Sequence, residues 1–307
     1  MRMLRRDQFE RAADALRHEA RPLERALFAH TFENGGRTAV LAALVPYQND
    51  DGGFGRALEP DMRAPASSVV ATTMALDILR RVGATEETSG LPAALVYLID
   101  NYDAETGRWP IISPAVEEAP HAPWWAYAES ATNFRDFWAN PRASVVGYLW
   151  QYRKFVPSPF VEGALRSAAT ALLTYAQTME MHDLMCYVDL LETPDLPGEM
   201  RQNMIDKLRR VVARSVVMDP ADWDDYNLKP LTVIRSPQSE LAAAVDPAVL
   251  DANLDYLIDA QEADGTWRPN WSWDFVDADA WAADEREWRG VLTLRNLETL
   301  QAFGRLA

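Results

Sequence analysis

The stretches "YLIDNYDAETGRWP" at residues 97–110 and "YLIDAQEADGTWRP" at residues 256–269 are alike through an apolar helix end, an Asp/Gly turn and an aromatic residue. The stretch "YQNDDGGFGRALEPD" at residues 47–61 is a third copy. The turn glycines stand at Gly52, Gly107 and Gly265, 55 and then 158 residues apart. A period of about 53 residues accounts for both gaps, and self-similarity at such a period marks an array of repeated supersecondary units. That period fits nearly six times into the 307-residue chain.

Around each turn the apolar residues recur at helical spacing. Helices are expected before the turns in "RTAVLAALVPYQ", "LPAALVYLIDNY" and "PAVLDANLDYLIDAQ", and after them in "SSVVATTMALDILRRVG", "NPRASVVGYLWQYRK" and "EWRGVLTLRNLETLQAFG". The segments "VEGALRSAATALLTYAQT", "HDLMCYVDLLET", "GEMRQNMIDKLRRVVARSVV" and "PQSELAAAV" continue the alternation, with proline and glycine at the joints and few period-2 patterns. The unit is a helical hairpin and the fold class is all-α.

The turn itself is neither a phosphate loop nor a calcium loop. Gly52-Gly53 follows a helix and lacks the Lys-Ser/Thr of a phosphate loop, and the acids around it lack the spacing and closing glutamate of an EF-hand. Its glycines supply positive φ at a helix end, and its glutamine and aspartate can bond free backbone groups.

The pattern Gln48, Asp51, Gly52, Gly53, Phe54, repeated as Gln261, Asp264, Gly265, Thr266, Trp267, resembles the QW repeat of squalene cyclases and other terpenoid cyclases. The same turn occurs in protein prenyltransferase β-subunits. The resemblance implies a single α/α toroid domain, residues 1–307, of about six helical hairpins in inner and outer rings. It further implies that the loop between each turn and the next inner helix lies at the mouth of a central cavity. The copy at 101–110 departs from the pattern, with Asn101-Tyr102 where glutamine is expected.

Composition narrows the partners. Forty-six acidic against 30 basic residues give a net charge of -16, which repels nucleic acid and anionic lipid. No apolar leader and no unbroken apolar run of membrane-spanning length is present, so a cytoplasmic protein is expected. The single cysteine, Cys186, rules out an intrachain disulfide and a multi-cysteine metal site, and no metal or cofactor is expected. The zinc set of the prenyltransferases, an aspartate, a cysteine and a downstream histidine, is not matched, and no obligate partner subunit is implied.

Four loops carry the candidate chemistry. The first places Glu59 and Asp61 around Pro60 just ahead of an inner-type helix, as helix-capping acids or as an acid at a cavity rim. The second, residues 109–141, is longer than a connection requires and holds His121, Trp124, Trp125, Tyr127, Phe134 and Trp138; it reads as a lid or wall. The third contains Asp222-Trp223-Asp224-Asp225 followed by Tyr226. It matches the DxDD pattern of class II terpene cyclases, which implies Asp224 as proton donor with Asp222 and Asp225 supporting it. Such a donor must be buried to stay protonated near neutral pH, whereas Asp219-Pro220 also reads as an ordinary helix start with capping acids. The fourth alternates Trp271, Trp273, Trp281 and Trp288 with Asp274, Asp277, Asp279 and Asp284. Tryptophan faces suit a carbocation, an ammonium group or the apolar face of a sugar.

Three functions fit these residues. The first is acid-initiated cyclisation or binding of an isoprenoid, with Asp224, Asp222, Asp225, Glu59 and Asp61 as acids and His121, Trp124, Trp125, Tyr226, Trp271, Trp273 and Asp274 contacting the substrate. The second is a carbohydrate-processing or sugar-binding toroid with a carboxylate pair drawn from Glu59, Asp61, Asp274 and Asp277. The third is a non-catalytic binding protein for a small hydrophobic or cationic ligand.

Overall fold

The computed structural model describes residues 2–174 and 177–307. Its regular structure is helical, with thirteen α-helices and no named strand among the described residues. The expected helices before the turns occur as Arg37–Leu44, which runs on into a 3-10 turn at Val45–Tyr47, as Leu91–Asp100 and as Pro247–Asp259. Those after the turns occur as Val69–Arg81, Arg142–Gln151 and the last part of Ala278–Ala302. The segment read as a helix through residues 161–178 occurs as Ser158–Thr174, with residues 175 and 176 outside the described ones. "PQSELAAAV" departs from expectation, forming only a 3-10 turn at Ala242–Ala244. Nine residues headed by Pro237 are too few to nucleate a helix of their own.

The described residues group into two compact units, Leu44–Val211 and a second made of Met1–Ala43 with Val212–Ala307. In the first, Arg142–Gln151 packs against both Ser158–Thr174 and Met181–Leu191, and Val69–Arg81 packs against Leu91–Asp100 and Arg142–Gln151. In the second, Arg6–His18 packs against Pro22–Phe32 and Ala278–Ala302, which also touch each other.

Each unit holds one complete copy of the turn, and the two copies match bond for bond. Gln48 Nε2 donates to the carbonyl oxygens of Gly52 and Gly90, both at 2.9 Å. Gln261 Nε2 donates to the carbonyl oxygens of Gly265 at 2.9 Å and Gln8 at 3.1 Å. Asp51 accepts from the Gly53 N–H and Asp264 from the Thr266 N–H, each at 2.9 Å. The aromatic residue then hands its backbone N–H to a threonine on the helix that follows: Phe54 to Thr72 at 3.0 Å and Trp267 to Thr293 at 3.1 Å.

The glycines make this contact sterically feasible. Gly52 and Gly265 have φ of 87° and 91°, and a Cβ on either would overlap the backbone of the neighbouring helix, at Ala93 in one case and at Arg11 and Ala12 in the other. The helix that receives the last turn is thus the first of the chain, Arg6–His18. The two ends of the sequence are locked beside it. Leu4 N–H donates to the Arg305 carbonyl at 2.7 Å, and the buried Arg305 guanidinium reaches Asp251 at 2.6 Å, Asp255 at 2.9 Å and the Arg2 carbonyl at 2.8 Å. The divergent copy keeps an aspartate bond, Asp103 accepting from the Glu105 N–H at 2.9 Å, and the ring bond, with Trp109 Nε1 donating to the Leu98 carbonyl as Trp267 Nε1 does to Leu257.

Replacing Gln48 or Gln261 by alanine removes a clamp on two carbonyls and is expected to lower stability by about 1–3 kcal/mol. Gly52→Ala and Gly265→Ala are expected to lower it further, because strain at positive φ adds to the overlap. Thermal melts of the four variants beside Asn101→Ala, which alters the divergent copy, test this ordering.

Candidate functional site

The loop after the first turn folds its two acids inward. Arg56 N–H bonds the Ala64 carbonyl at 3.1 Å and Leu58 N–H bonds that of Gly55 at 3.1 Å, closing residues 55–64 into a knot. Within it Arg56 and Ala57 take φ of 56° and 59°, the left-handed region, at about 1–2 kcal/mol for each residue that has a Cβ. The result is that Glu59 and Asp61 are only 7% and 2% exposed. Neither caps the helix that follows; Ser68 does, accepting from the Ala71 N–H at 3.0 Å.

The long loop is built onto this knot. Met62 and His121 form an antiparallel bridge, with Ala122 N–H donating to the Asp61 carbonyl at 2.9 Å and Arg63 N–H to that of Pro120 at 3.2 Å. His121 Nδ1 lies 2.9 Å from the Ala119 carbonyl, and its Nε2 lies 3.7 Å from Glu117. Residues 109–141 are not a bare flap. They contain 3-10 turns at Pro114–Glu118, Pro123–Trp125 and Tyr127–Glu129 and a short helix at Ser130–Asn133. Met62, Ile111, Ile112 and Val116 form a buried apolar cluster, against which Val70, Trp125, Phe134 and Phe137 pack. The rings run on from Trp125 through Phe134 and Phe137 to His182, with centroids 5.9, 5.7 and 5.6 Å apart. Trp124 is half-buried beside them.

Sequence reading missed the residue that anchors the far end of this loop. Asp183 is fully buried and accepts three backbone N–H bonds, from Trp138, Ala139 and Asn140, each at 2.8 Å. Its signal was an acid inside the apolar run "HDLMCYVDLL", where a charge needs a partner. Neighbouring Cys186 is also buried, and desolvation pushes its thiol up, the state of an unreactive core thiol.

The aspartates of "DWDD" stand elsewhere and differently. Asp222, Asp224 and Asp225 are all exposed, and the buried member is Trp223, at 1%. Asp219 caps the 3-10 turn Pro220–Asp222 by accepting from the Ala221 N–H at 3.0 Å. Trp223 Nε1 donates to the Val217 carbonyl at 2.9 Å, and its ring meets Tyr256 edge-on at 5.5 Å. The Tyr256 hydroxyl donates to Asp224 Oδ1 at 3.0 Å. These three aspartates therefore lack the burial an alkene-protonating acid requires, and the motif acts as a turn pinned by a tryptophan.

The fourth loop divides. Trp273 is fully buried against Trp281, with ring centroids 6.1 Å apart, so it has no face for a ligand. Asp274 is exposed and accepts from the Ser272 hydroxyl at 2.7 Å, and Asp277 caps the helix Ala278–Ala302. Trp271 and Tyr226 do come together with accessible surface, their rings 5.8 Å apart, and Trp288 meets Trp271 at 5.1 Å.

Among the described residues no group of three or more His, Cys, Asp or Glu is placed to hold a metal ion, and no helix is long and apolar enough to cross a membrane. Compared with protein-family models, with curated proteins and with solved structures, the chain matches none.

Asp183→Ala strands three N–H groups, that of Ala139 fully buried, with an expected loss of about 2–4 kcal/mol and selective proteolysis within residues 109–141. The Tyr256 hydroxyl, desolvated and bonded to Asp224, is pushed up to about 12. A pKa raised on folding adds stability that is complete below the unfolded value near 10 and is lost as the pH rises through 12. Ultraviolet titration, with Tyr256→Phe subtracted, is expected to show this late ionisation, moved toward 10 by Asp224→Asn.

Proposed function

We propose that the chain is a terpenoid-cyclase-like α/α toroid that binds an isoprenoid and protonates it with a carboxylic acid from the pair Glu59 and Asp61. The carrying observation is that these two carboxyl groups, two residues apart, are both buried in a strained loop that an aromatic wall covers. Burial and a neighbouring carboxylate each raise an acid's pKa, which is the condition for donating a proton to a carbon-carbon double bond. Asp61, the more deeply buried, is the preferred donor, with Glu59 as its neighbour. Trp125, Phe134 and Phe137 offer ring faces of the kind that stabilise carbocations, and His121 and Trp124 complete the wall. On this reading the protein works in the cytoplasm, without cofactor or obligate partner subunit.

The test is product analysis with squalene-like and farnesyl- or geranylgeranyl-chain substrates, together with the melting temperature in their presence. Wild type is expected to be stabilised by an isoprenoid and to convert it. Asp61→Asn is expected to keep the thermal shift and lower turnover by at least 100-fold, with Asp224→Asn close to wild type. No shift and no product with any isoprenoid would overturn the reading; a shift with oligosaccharides instead would assign the acids to sugar chemistry.

A further inference from the structure

The divergent copy of the turn differs from the other two in what covers it. Glycine stands four positions after the glutamine at Gln48 and Gln261, and five positions after Tyr102, which takes the glutamine's place in the third copy. A Cβ on Gly52 or Gly265 would strike the backbone of a neighbouring helix, whereas one on Gly107 would meet only the Tyr102 hydroxyl, at 3.7 Å. Where the other turns are sealed, this one borders a recess of about 400 Å³, open to solvent and formed by residues 100–103, 106 and 108–110. The recess lies wholly within the unit Leu44–Val211. Its size is that of a small-molecule site.

The lining holds hydrogen-bonding groups that the fold does not use. Arg108 lies over the Trp138 ring, 5.1 Å from its centroid, which leaves the N–H edge of the guanidinium for other partners. Among the described residues those N–H groups make no hydrogen bond or ion pair, and the same is true of the Asp100 carboxylate and the Tyr102 hydroxyl. Asn101 gives its Nδ2 to the Tyr97 carbonyl at 2.9 Å and keeps its Oδ1 open. Asp103, by contrast, is occupied by the turn itself, accepting from the Glu105 N–H at 2.9 Å and the Thr106 hydroxyl at 2.7 Å. The half-buried Tyr102 ring is held in place by Trp109 and Phe160, with centroids 4.8 and 5.0 Å away. A cation, a carboxylate, a hydroxyl and an amide oxygen thus line one recess without bonding to one another.

Most ligand classes leave part of this set unmatched. An anion meets Arg108 but also Asp100 and Asp103, on a chain of net charge -16. A cation meets the acids but also Arg108, and no metal-holding group of three or more His, Cys, Asp or Glu occurs among the described residues. An apolar body strips water from Arg108 and Asp100 and returns no bond. A hydroxyl both donates and accepts, so neighbouring hydroxyls on one ring can answer a guanidinium, a carboxylate, a phenol and an amide oxygen together. We propose that the recess binds a neutral sugar residue, with its hydroxyls toward Asp100, Asn101 and Arg108 and its C–H face against Tyr102. The site does not depend on Glu59 and Asp61 acting as acids.

Calorimetric titration of the full chain with glucose, maltotriose, cellotriose and triacetylchitotriose tests it, with inorganic phosphate as an anion and glycine as a zwitterion for comparison. Arg108→Gln and Asp100→Ala are measured beside wild type and Asp61→Asn. The expected result is binding of at least one of the four sugars, at least tenfold weaker in Arg108→Gln and Asp100→Ala and unchanged in Asp61→Asn. Both recess variants are expected to melt within about 2 °C of wild type, because neither side chain bonds to a described residue, so that lost binding is not lost folding. Binding that Asp61→Asn abolishes and Arg108→Gln spares would place the sugar at the acid pair and overturn the proposal. Equal binding by all variants, tighter binding of phosphate or glycine, no binding of any sugar, or a clearly lowered melting temperature in both recess variants would overturn it as well.

Discussion

A side-chain amide nitrogen has two hydrogens, and in Gln48 and Gln261 one is given to the residue's own turn and the other to the neighbouring helix. This arrangement turns a helix end into a joint. The carbonyl of the turn glycine is held by the glutamine while its N–H closes the turn onto Asn49 or Glu262. With φ near 90° and no Cβ, the glycine lets the next helix approach to backbone contact. Removing the glutamine frees the carbonyl of the turn glycine, and removing the aspartate frees the N–H two residues on, each a backbone group that must then find another partner. The last joint holds the first helix of the chain, so the lock of Arg305 on Asp251, Asp255 and Arg2 is a consequence of the same geometry: it fastens the strand-like ends that the joint has already brought together.

Periodicity made the helices legible, because burying one face of a helix leaves a 3.6-residue mark in the sequence. The turn was legible for the same reason that it works, since glycine at a helix end and glutamine before it have few other uses in such a pattern. What the pattern did not carry was the receiving partner. Nothing in "YLIDAQEADGTW" says that its glutamine reaches Gln8, more than 250 residues earlier. Asp183 was illegible as an anchor because its three donors are backbone groups of a loop, and backbone donors leave no trace in residue identity.

The acids show most clearly why motif and burial came apart. "DWDD" has the denser charge and the more familiar pattern, yet its tryptophan takes the buried position and leaves the three aspartates in water. Glu59 and Asp61 look in sequence like loop acids beside a proline, yet the turn of the chain at Arg56 and Ala57 carries both inside. Alternation of burial along a turn, not acid density, decides which carboxyl group meets a low dielectric.

That turn also bears on why the acids are there. Two consecutive left-handed residues with Cβ atoms oppose folding, and serine at position 68 already caps the next helix without help from either acid. A loop selected for stability alone would place glycine at 56 and 57 and apolar residues at 59 and 61. Backbone strain gathers where the surrounding structure over-determines it, and here the strain at Arg56 and Ala57 and the two buried acids fall within six residues of each other, next to the long loop between the helices Leu91–Asp100 and Arg142–Gln151. The structural role that explains Gln48, Asp51, Gly52 and Phe54 therefore stops at the turn, and it accounts for neither the left-handed pair nor the two buried acids that follow it.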